Sequence, residues 1–193
     1  MTDEYRTITG NSEGYYTEKR SKFLAFAHHV ETVDEIKELL AQYRKKYYDA
    51  RHVCYAYMLG AERQDFRAND DGEPSSTAGK PILGQINSAG LTNILIVVVR
   101  YYGGVNLGTS GLIVAYREAA ADALAHATIE NRQVEETVSY TFAYPQMNAV
   151  MRIVKDMQPR IISQSYEGAS CVLLLSIRKS EAPQLRQRLQ QLL

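Results

Sequence analysis

The first part of the chain shows the alternation of apolar and polar residues that predicts β-strands. Tyr5 to Ile8 and Tyr15 to Lys19 flank a Gly- and Asn-containing stretch, residues 10–14, which predicts a hairpin. Ser21 to Val30 is largely apolar on both of its faces, as in a strand buried from both sides. Two further strands are predicted at Arg51 to Leu59 and at Leu91 to Tyr101, of which the second is the most apolar and therefore central.

Two segments between these strands carry apolar residues at helical spacing. Glu31 to Tyr47 is predicted to be a helix, with Thr32 as N-cap and Glu35 completing a capping box. Gly111 to Ala127 is predicted to be a helix whose small-residue stripe packs closely on a sheet. The intervening residues 60–79 are polar and predict a long connection.

The pattern restarts after Asn131. Its predicted order is β-α-β-β-α, the order of a ferredoxin-like split βαβ unit. The elements are Val138 to Ala143, Pro145 to Met157, Arg160 to Tyr166, Cys171 to Ile177 and Glu181 to Leu193. We therefore predict an α+β protein with an N-terminal β-α-β layer domain at residues 1–135 and a small ferredoxin-like domain at residues 136–193.

Composition narrows the class of protein. The 193 residues are 45% hydrophobic and 23% charged, which excludes long disordered, collagen-like and coiled-coil chains. With 22 basic and 22 acidic residues, the chain as a whole does not resemble a strongly basic nucleic-acid binder. The balance is uneven, because residues 1–135 hold 15 basic and 18 acidic side chains and residues 136–193 hold 7 and 4. Any RNA contact in the first domain must therefore be local.

Localisation follows from what the sequence does not contain. The N-terminal segment is polar and lacks the apolar core of a signal peptide. The longest apolar run, Ile94 to Val99, is far shorter than the ~20 residues of a membrane helix. Cys54 and Cys171 indicate two buried thiols in a reducing compartment. We expect a cytoplasmic protein without membrane contact; its oligomeric state is left open, with a monomer favoured.

Residues 69–81 concentrate carboxylates, hydroxyls, glycines and Lys80 in one non-periodic stretch. Functional residues are often found on such loops. Asp70, Asp71 and Glu73 offer oxygen ligands of the kind Mg²⁺ prefers, whereas the alternative is a solvated loop with Asx turns and a helix cap. The spacing of its glycines does not fit a phosphate-binding P-loop.

Residues 100–111 join a buried strand to a helix through four glycines. Ligands collect where strands end, and helix N-termini attract anions. The glycines allow close backbone approach or supply positive φ angles. The alternative is a tight corner in which Arg100 pairs with a carboxylate such as Asp70 or Asp71. Predicted binding residues here are Arg100, Tyr101, Tyr102, Gly103, Gly104, Asn106 and Gly108, with Arg51 and His52 at the start of another strand.

Four segments resemble those of the YigZ–IMPACT family: Ser21 to Phe23, Arg51 to Tyr57, Asn69 to Pro81 and Val99 to Gly108. The resemblance runs over roughly residues 15 to 127, and residues 136–193 are similar to the C-terminal domain of bacterial members. It implies that the first domain has the fold of the second domain of ribosomal protein S5 and of domain IV of elongation factor G. The second domain is similar to domain V of that factor. The eukaryotic IMPACT protein regulates translation initiation by interfering with activation of an initiation-factor kinase.

Three functions stay open, and the first is favoured because no complete catalytic constellation can be assembled. The chain is expected to be a non-enzymatic binding module linked to the regulation of translation, with RNA, the ribosome or a translation factor as partner and no cofactor. Arginine and lysine would contact phosphates, and tyrosine would stack on bases. A second hypothesis is a small metal-dependent, phosphate-handling hydrolase that holds Mg²⁺ in the acidic loop. A third is a protein-interaction module whose motifs are structural.

Overall fold

A computed structural model describes residues 3–193, which form two compact units. One unit is Tyr5–Arg132, and the other combines residues 3–4 with Gln133–Leu193. The predicted division after residue 135 stays a prediction about domains. The elements are β1 (Glu4–Thr9), β2 (Asn11–Glu18), β3 (Ser21–His29), α1 (Val33–Lys46), β4 (His52–Leu59), β5 (Asp65–Asn69), α2 (Gly79–Ala89), β6 (Ile94–Tyr101), α3 (Gly108–Ala125), β7 (Thr128–Gln133), β8 (Glu135–Ala143), α4 (Met147–Met157), β9 (Arg160–Glu167), β10 (Ser170–Arg178) and α5 (Ala182–Gln190).

A five-stranded antiparallel sheet forms the centre of the first unit, in the order β2-β3-β6-β4-β5. β6 occupies the middle, as its apolar sequence predicts, and residues 94–100 are buried. Alternate residues of β3, β4 and β6 face opposite sides, so each side has its own apolar cluster. α2 and α3 cover one side, and α1 covers the other.

The first helix forms where its spacing predicts. Thr32 accepts a hydrogen bond from the Glu35 amide at 3.2 Å, which satisfies one of the free donors at the helix start. Ile36 and Leu40 bury the apolar stripe against the sheet. The last turn carries basic side chains and is followed by Tyr47, which packs against Tyr101 at the end of β6. The basic end of α1 therefore lies at the same end of the sheet as the last residue of β6.

The predicted N-terminal hairpin is wrong. β1 pairs with β7, which lies more than a hundred residues further along the chain, whereas β2 pairs with β3. The alternation in Tyr5 to Ile8 identifies a strand but contains no information about its partner. Lys19 and Arg20 form the tight turn between β2 and β3, with both φ angles positive (45° and 69°), a turn geometry that suits two-residue hairpins.

The predicted polar connection contains a strand, and a helix follows it. β5 lies at the sheet edge and pairs with β4, and its exposed residues explain why no apolar alternation announces it. α2 begins at Gly79 and carries Pro81 in its first turn, where proline is tolerated. This helix adds Ile82 and Ile86 to the core on the α3 side of the sheet.

The second unit contains the predicted β-α-β-β-α order. Its antiparallel sheet has the order β8-β10-β9, and α4 and α5 supply the apolar residues that cover it.

Cys54 and Cys171 are both buried, and neither forms a disulfide. Among the described residues, none of the helices is both long and apolar enough to cross a membrane.

Candidate functional site

A cleft of about 380 Å³ opens in the first unit, at the end of the sheet where β6 finishes and α3 begins. Both segments singled out by the sequence contribute to it. The predicted residues that line this cleft are Arg51, His52, Glu73, Arg100, Tyr102, Asn106 and Gly108. The structure adds Pro74, Leu107, Thr109 and Leu112 to the lining. The predicted residues Asp70, Asp71, Lys80, Tyr101, Gly103 and Gly104 do not line it.

Glu73 and Arg100 form a buried ion pair in this cleft. The Nη1 atom of Arg100 donates to both carboxylate oxygens of Glu73, at 2.9 and 2.7 Å. Their side chains are only 3% (Glu73) and 6% (Arg100) exposed. Arg100 thus pairs with a carboxylate of the acidic loop, but Asp70 and Asp71, the examples that the sequence offered, are the wrong ones. The Glu73 amide donates to the Asp70 carbonyl oxygen at 2.9 Å, which closes the turn that carries Glu73.

Two polar side chains lie under this pair in the core. The hydroxyl of Tyr116 donates to Oε2 of Glu73 at 2.5 Å. The thiol of Cys54 lies 3.4 Å from that hydroxyl and 3.1 Å from the carbonyl oxygen of Asp70. Burial raises the pKa of both Tyr116 and Cys54. Both groups therefore stay protonated at neutral pH, and Cys54 is not suited to act as a thiolate nucleophile.

His52 joins the cleft to the acidic loop. Its Nδ1 lies 2.7 Å from the carbonyl oxygen of Asp71, so we infer that Nδ1 carries a proton. Its Nε2 lies 3.2 Å from Oε1 of Glu73. A hydrogen bond across that second gap requires a proton on Nε2 as well, and hence a positively charged imidazole.

The other acidic residues of the loop are occupied by the fold. The carboxylate of Asp70 accepts from the amides of Ser76, Ala78 and Gly79 at 2.8 to 3.1 Å, which caps the start of α2. The carboxylate of Asp71 accepts from the Val53 amide at 2.7 Å and from Arg44 at 3.2 Å. No group of three metal-ligating side chains occurs within residues 3–193. The geometry therefore gives the predicted Mg²⁺-binding hydrolase no converging carboxylates.

Lys80 and Tyr101 are predicted site residues that point elsewhere. Lys80 is exposed on α2 and does not line the cleft. Tyr101 lies on the α1 side of the sheet, where its hydroxyl donates to Asp49 at 2.9 Å. Successive residues of a strand face opposite sides, so Arg100 and Tyr101 cannot enter the same cleft.

The glycine-rich loop places Tyr102 over the cleft. The backbone of Gly103 packs so closely on Arg20 that a Cβ atom would lie 2.2 Å from the carbonyl carbon of Arg20. Tyr102 then lies beneath the guanidinium of Arg51, 4.9 Å from ring centroid to Cζ, and 5.6 Å from that of Arg100. Its hydroxyl donates to Asn106 at 3.3 Å. The result is a cation–π stack at the mouth of the cleft.

The N-terminus of α3 forms one wall of the cleft. Gly108 starts the helix with φ +74°, a backbone conformation that glycine adopts without strain. Within residues 3–193 no side chain caps the helix start, and its first turn contains no acidic residue. Free amide groups and the helix dipole therefore present partial positive charge to the cleft. This arrangement suits an anion.

Sequence reasoning missed residues whose roles depend on spatial neighbours. Ser21 accepts from the Gly103 amide at 3.2 Å and lies 3.5 Å from Nη2 of Arg100. Helical spacing places Tyr116 on the small-residue stripe of the helix predicted at residues 111–127, and its hydroxyl is the sequence signal that distinguishes it from the alanines of that stripe. Thr109 lines the wall at the helix start, within the segment that the sequence singled out.

These features together define an α+β domain with an arginine-centred cleft at one end of its sheet. The sequence profile of the Impact N-terminal domain family matches residues 19–124, a range that contains the whole cleft. The chain belongs to the IMPACT family.

Relatives match most of the chain. The IMPACT family member YigZ of Escherichia coli is 35% identical over 152 residues, which are 78% of this chain and 74% of the relative. The IMPACT family member YvyE of Bacillus subtilis is 31% identical over 158 residues, 82% of this chain and 73% of the relative. The crystal structure of a hypothetical protein superposes with a TM-score of 0.74 at 29% identity, covering 98% of this chain and 92% of that one. Both units therefore have counterparts in a solved structure.

Proposed function

We propose that this chain is a non-enzymatic, cytoplasmic binding module that acts in the regulation of translation by binding RNA. The regulatory context comes from what the family resemblance implies. RNA as the partner is supported by the charge distribution at the cleft end of the sheet. Arginine and lysine neutralise phosphates, and aromatic rings or arginine planes stack on unpaired bases.

The observation that carries this proposal is that basic side chains from separate chain segments lie at this end of the sheet, on both of its faces; we name them the basic rim. The turn between β2 and β3 and the last turn of α1 both reach this end of the sheet. Lys22 pairs in register with Tyr101, and Arg51 stacks on Tyr102. The basic rim consists of Lys19, Arg20, Lys22, Lys45, Lys46 and Arg51.

Few negative charges oppose the rim. Asp71 and Glu73 are bonded to Arg44 and Arg100. Asp49 and Glu18 accept from the hydroxyls of Tyr101 and Tyr16 and keep their charge, so two carboxylates face six cations. The rim therefore keeps local positive charge even though residues 1–135 carry more acidic than basic side chains. Such a local field attracts a polyanion without making the whole domain basic.

Binding of a fluorescein-labelled single-stranded RNA, measured by anisotropy at low salt, tests the proposal. Lys22→Ala and Arg51→Ala each remove one exposed cation and should each weaken binding several-fold. Arg67→Ala on β5 is the matched control, because Arg67 is also exposed but lies opposite Tyr57 in the strand register, toward the far end of β4. Equal loss in all three variants, or absence of RNA binding by the native chain, would contradict the proposal.

A further inference from the structure

The cleft has features that the basic rim alone does not require. It is a pocket about 380 Å³ in volume, whereas a surface that follows an RNA backbone needs only an open groove. Its wall is the uncapped start of α3, and Leu112 and Pro74 contribute apolar lining. This volume is sufficient for one nucleotide-sized group.

The positive charge in the cleft exceeds the negative charge. Glu73 neutralises one arginine, Arg100. Arg51 is exposed, and its guanidinium forms no ion pair within the described residues. The helix start adds about half a unit of positive charge. Together these give an excess of about 1.5 positive charges, which matches the charge of about −1.5 to −2 that a phosphate monoester carries near neutral pH.

A second, independent observation concerns Arg100. Its side chain is 6% exposed and lines the cleft. Its Nε atom is fully buried and has no hydrogen-bond partner within the part of the chain that the structure describes. Buried donors without an acceptor are rare and unfavourable. Arg100 therefore keeps donor capacity beyond its pair with Glu73, on a side chain that lines the cleft.

The mouth of the cleft provides a place for a base. The guanidinium carbon of Arg51 lies 4.9 Å from the centre of the Tyr102 ring, and both side chains are exposed. Unpaired bases stack on arginine planes and aromatic rings. A phosphate at the start of α3 and a base on the Arg51–Tyr102 stack together describe a nucleoside monophosphate.

We propose that the cleft binds a terminal nucleotide through its phosphate monoester, with the phosphate at the start of α3 and the base on the Arg51–Tyr102 stack. The inference rests on the proposed RNA-binding function and adds recognition of a phosphorylated end. The same chemistry occurs in a free nucleoside monophosphate, so the test must separate the two sources.

Competition experiments with the native chain distinguish the ligands. The probes are a short single-stranded RNA with a 5′-phosphate, the same RNA with a 3′-phosphate, the same RNA with both ends unphosphorylated, and AMP. We expect one phosphorylated form to bind at least about tenfold more tightly than the unphosphorylated RNA, as charge-assisted hydrogen bonds predict. AMP binding as tight as that of the phosphorylated RNA would overturn recognition of an RNA end in favour of a free nucleotide.

Two variants test the location without disturbing the core. Arg51→Ala removes the stacking platform, and Thr109→Glu places a negative charge at the start of α3. An acidic residue there favours the helix, so loss of binding cannot be ascribed to unfolding. Both variants should abolish the preference for the phosphorylated end, whereas Thr128→Glu on β7 carries the same charge change at an exposed site outside the cleft and should retain it.

The outcomes separate this inference from the function on which it rests. Salt-sensitive RNA binding with equal affinity for phosphorylated and unphosphorylated ends overturns the inference and leaves the RNA-binding proposal standing. A preference that persists in Thr109→Glu also overturns it, because the phosphate would then lie elsewhere. Absence of binding to every RNA at low salt overturns both.

Discussion

Replacing Glu73 with Gln removes the negative charge from the cleft and keeps the shape of the side chain. Only 6% of the Arg100 side chain is exposed, and Glu73 is its ion-pair partner. The variant therefore leaves a guanidinium in the core without a counter-charge. Removing one partner of a buried ion pair costs about 3–5 kcal/mol. We expect the free energy of unfolding of the unit formed by Tyr5–Arg132 to fall by about that amount.

Hydrogen exchange of the β6 amides in the full chain measures this quantity, because β6 is the buried centre of that unit. Glu118→Gln is the matched control, since the Arg117–Glu118 pair is nearly half exposed and such pairs contribute about 0–1 kcal/mol. Adding Arg100→Met to Glu73→Gln should recover part of the loss, because no unpaired charge then remains. Equal effects of Glu73→Gln and Glu118→Gln would refute the view that the cleft pair is buried and coupled.

Further predictions concern the loops and the second unit. Gly103→Ala forces a Cβ atom against the backbone of Arg20 and should lower the unfolding free energy by about 1–3 kcal/mol. Urea titration measures this loss, and an unchanged midpoint of unfolding would contradict the close approach of the two backbones. Asp70→Ala removes the acceptor for three amides at the start of α2 and should cost about 0.5–2 kcal/mol, seen as faster exchange of the α2 amides alone. The bidentate hydrogen bond from Arg178 lowers the pKa of Asp3 to about 2. The stability that this ion pair contributes is therefore present above about pH 4 and is lost as the pH falls through about 2. In Arg178→Met the Asp3 carboxyl should titrate nearer 3.8 by NMR, and an unchanged midpoint would refute the assignment.

Local periodicity accounted for the elements that bury a continuous apolar stripe. α1 and β6 form where spacing and composition place them. β5 carries exposed polar residues at a sheet edge, so its strand geometry comes from pairing with β4 and not from its own sequence. The pairing of β1 with β7 could not be predicted either, because an alternating strand can pair with many sheet edges and the tertiary fold determines which one it meets.

The cleft was predictable only in part for a related reason. The charged and polar residue types identified the segments around Glu73 and Arg100 as candidate binding segments, and the structure brings these two side chains together. The assignment of Arg100 to Asp70 or Asp71 failed because a turn decides which carboxylate points inward, and Asp70 is used to cap α2. The role of Tyr116 depends on the packing of α3 against the sheet, which no local pattern reveals.

The salt dependence of RNA binding tests the central claim most directly. Each phosphate that a protein neutralises on a single strand changes the slope of log affinity against log salt by about 0.7. The native chain should show a clearly negative slope, and Arg51→Ala should reduce its magnitude by about 0.7 while Arg67→Ala leaves it unchanged. A flat slope for the native chain, or the same slope for the native chain and Arg51→Ala, would contradict the assignment of the cleft end of the sheet as the RNA contact.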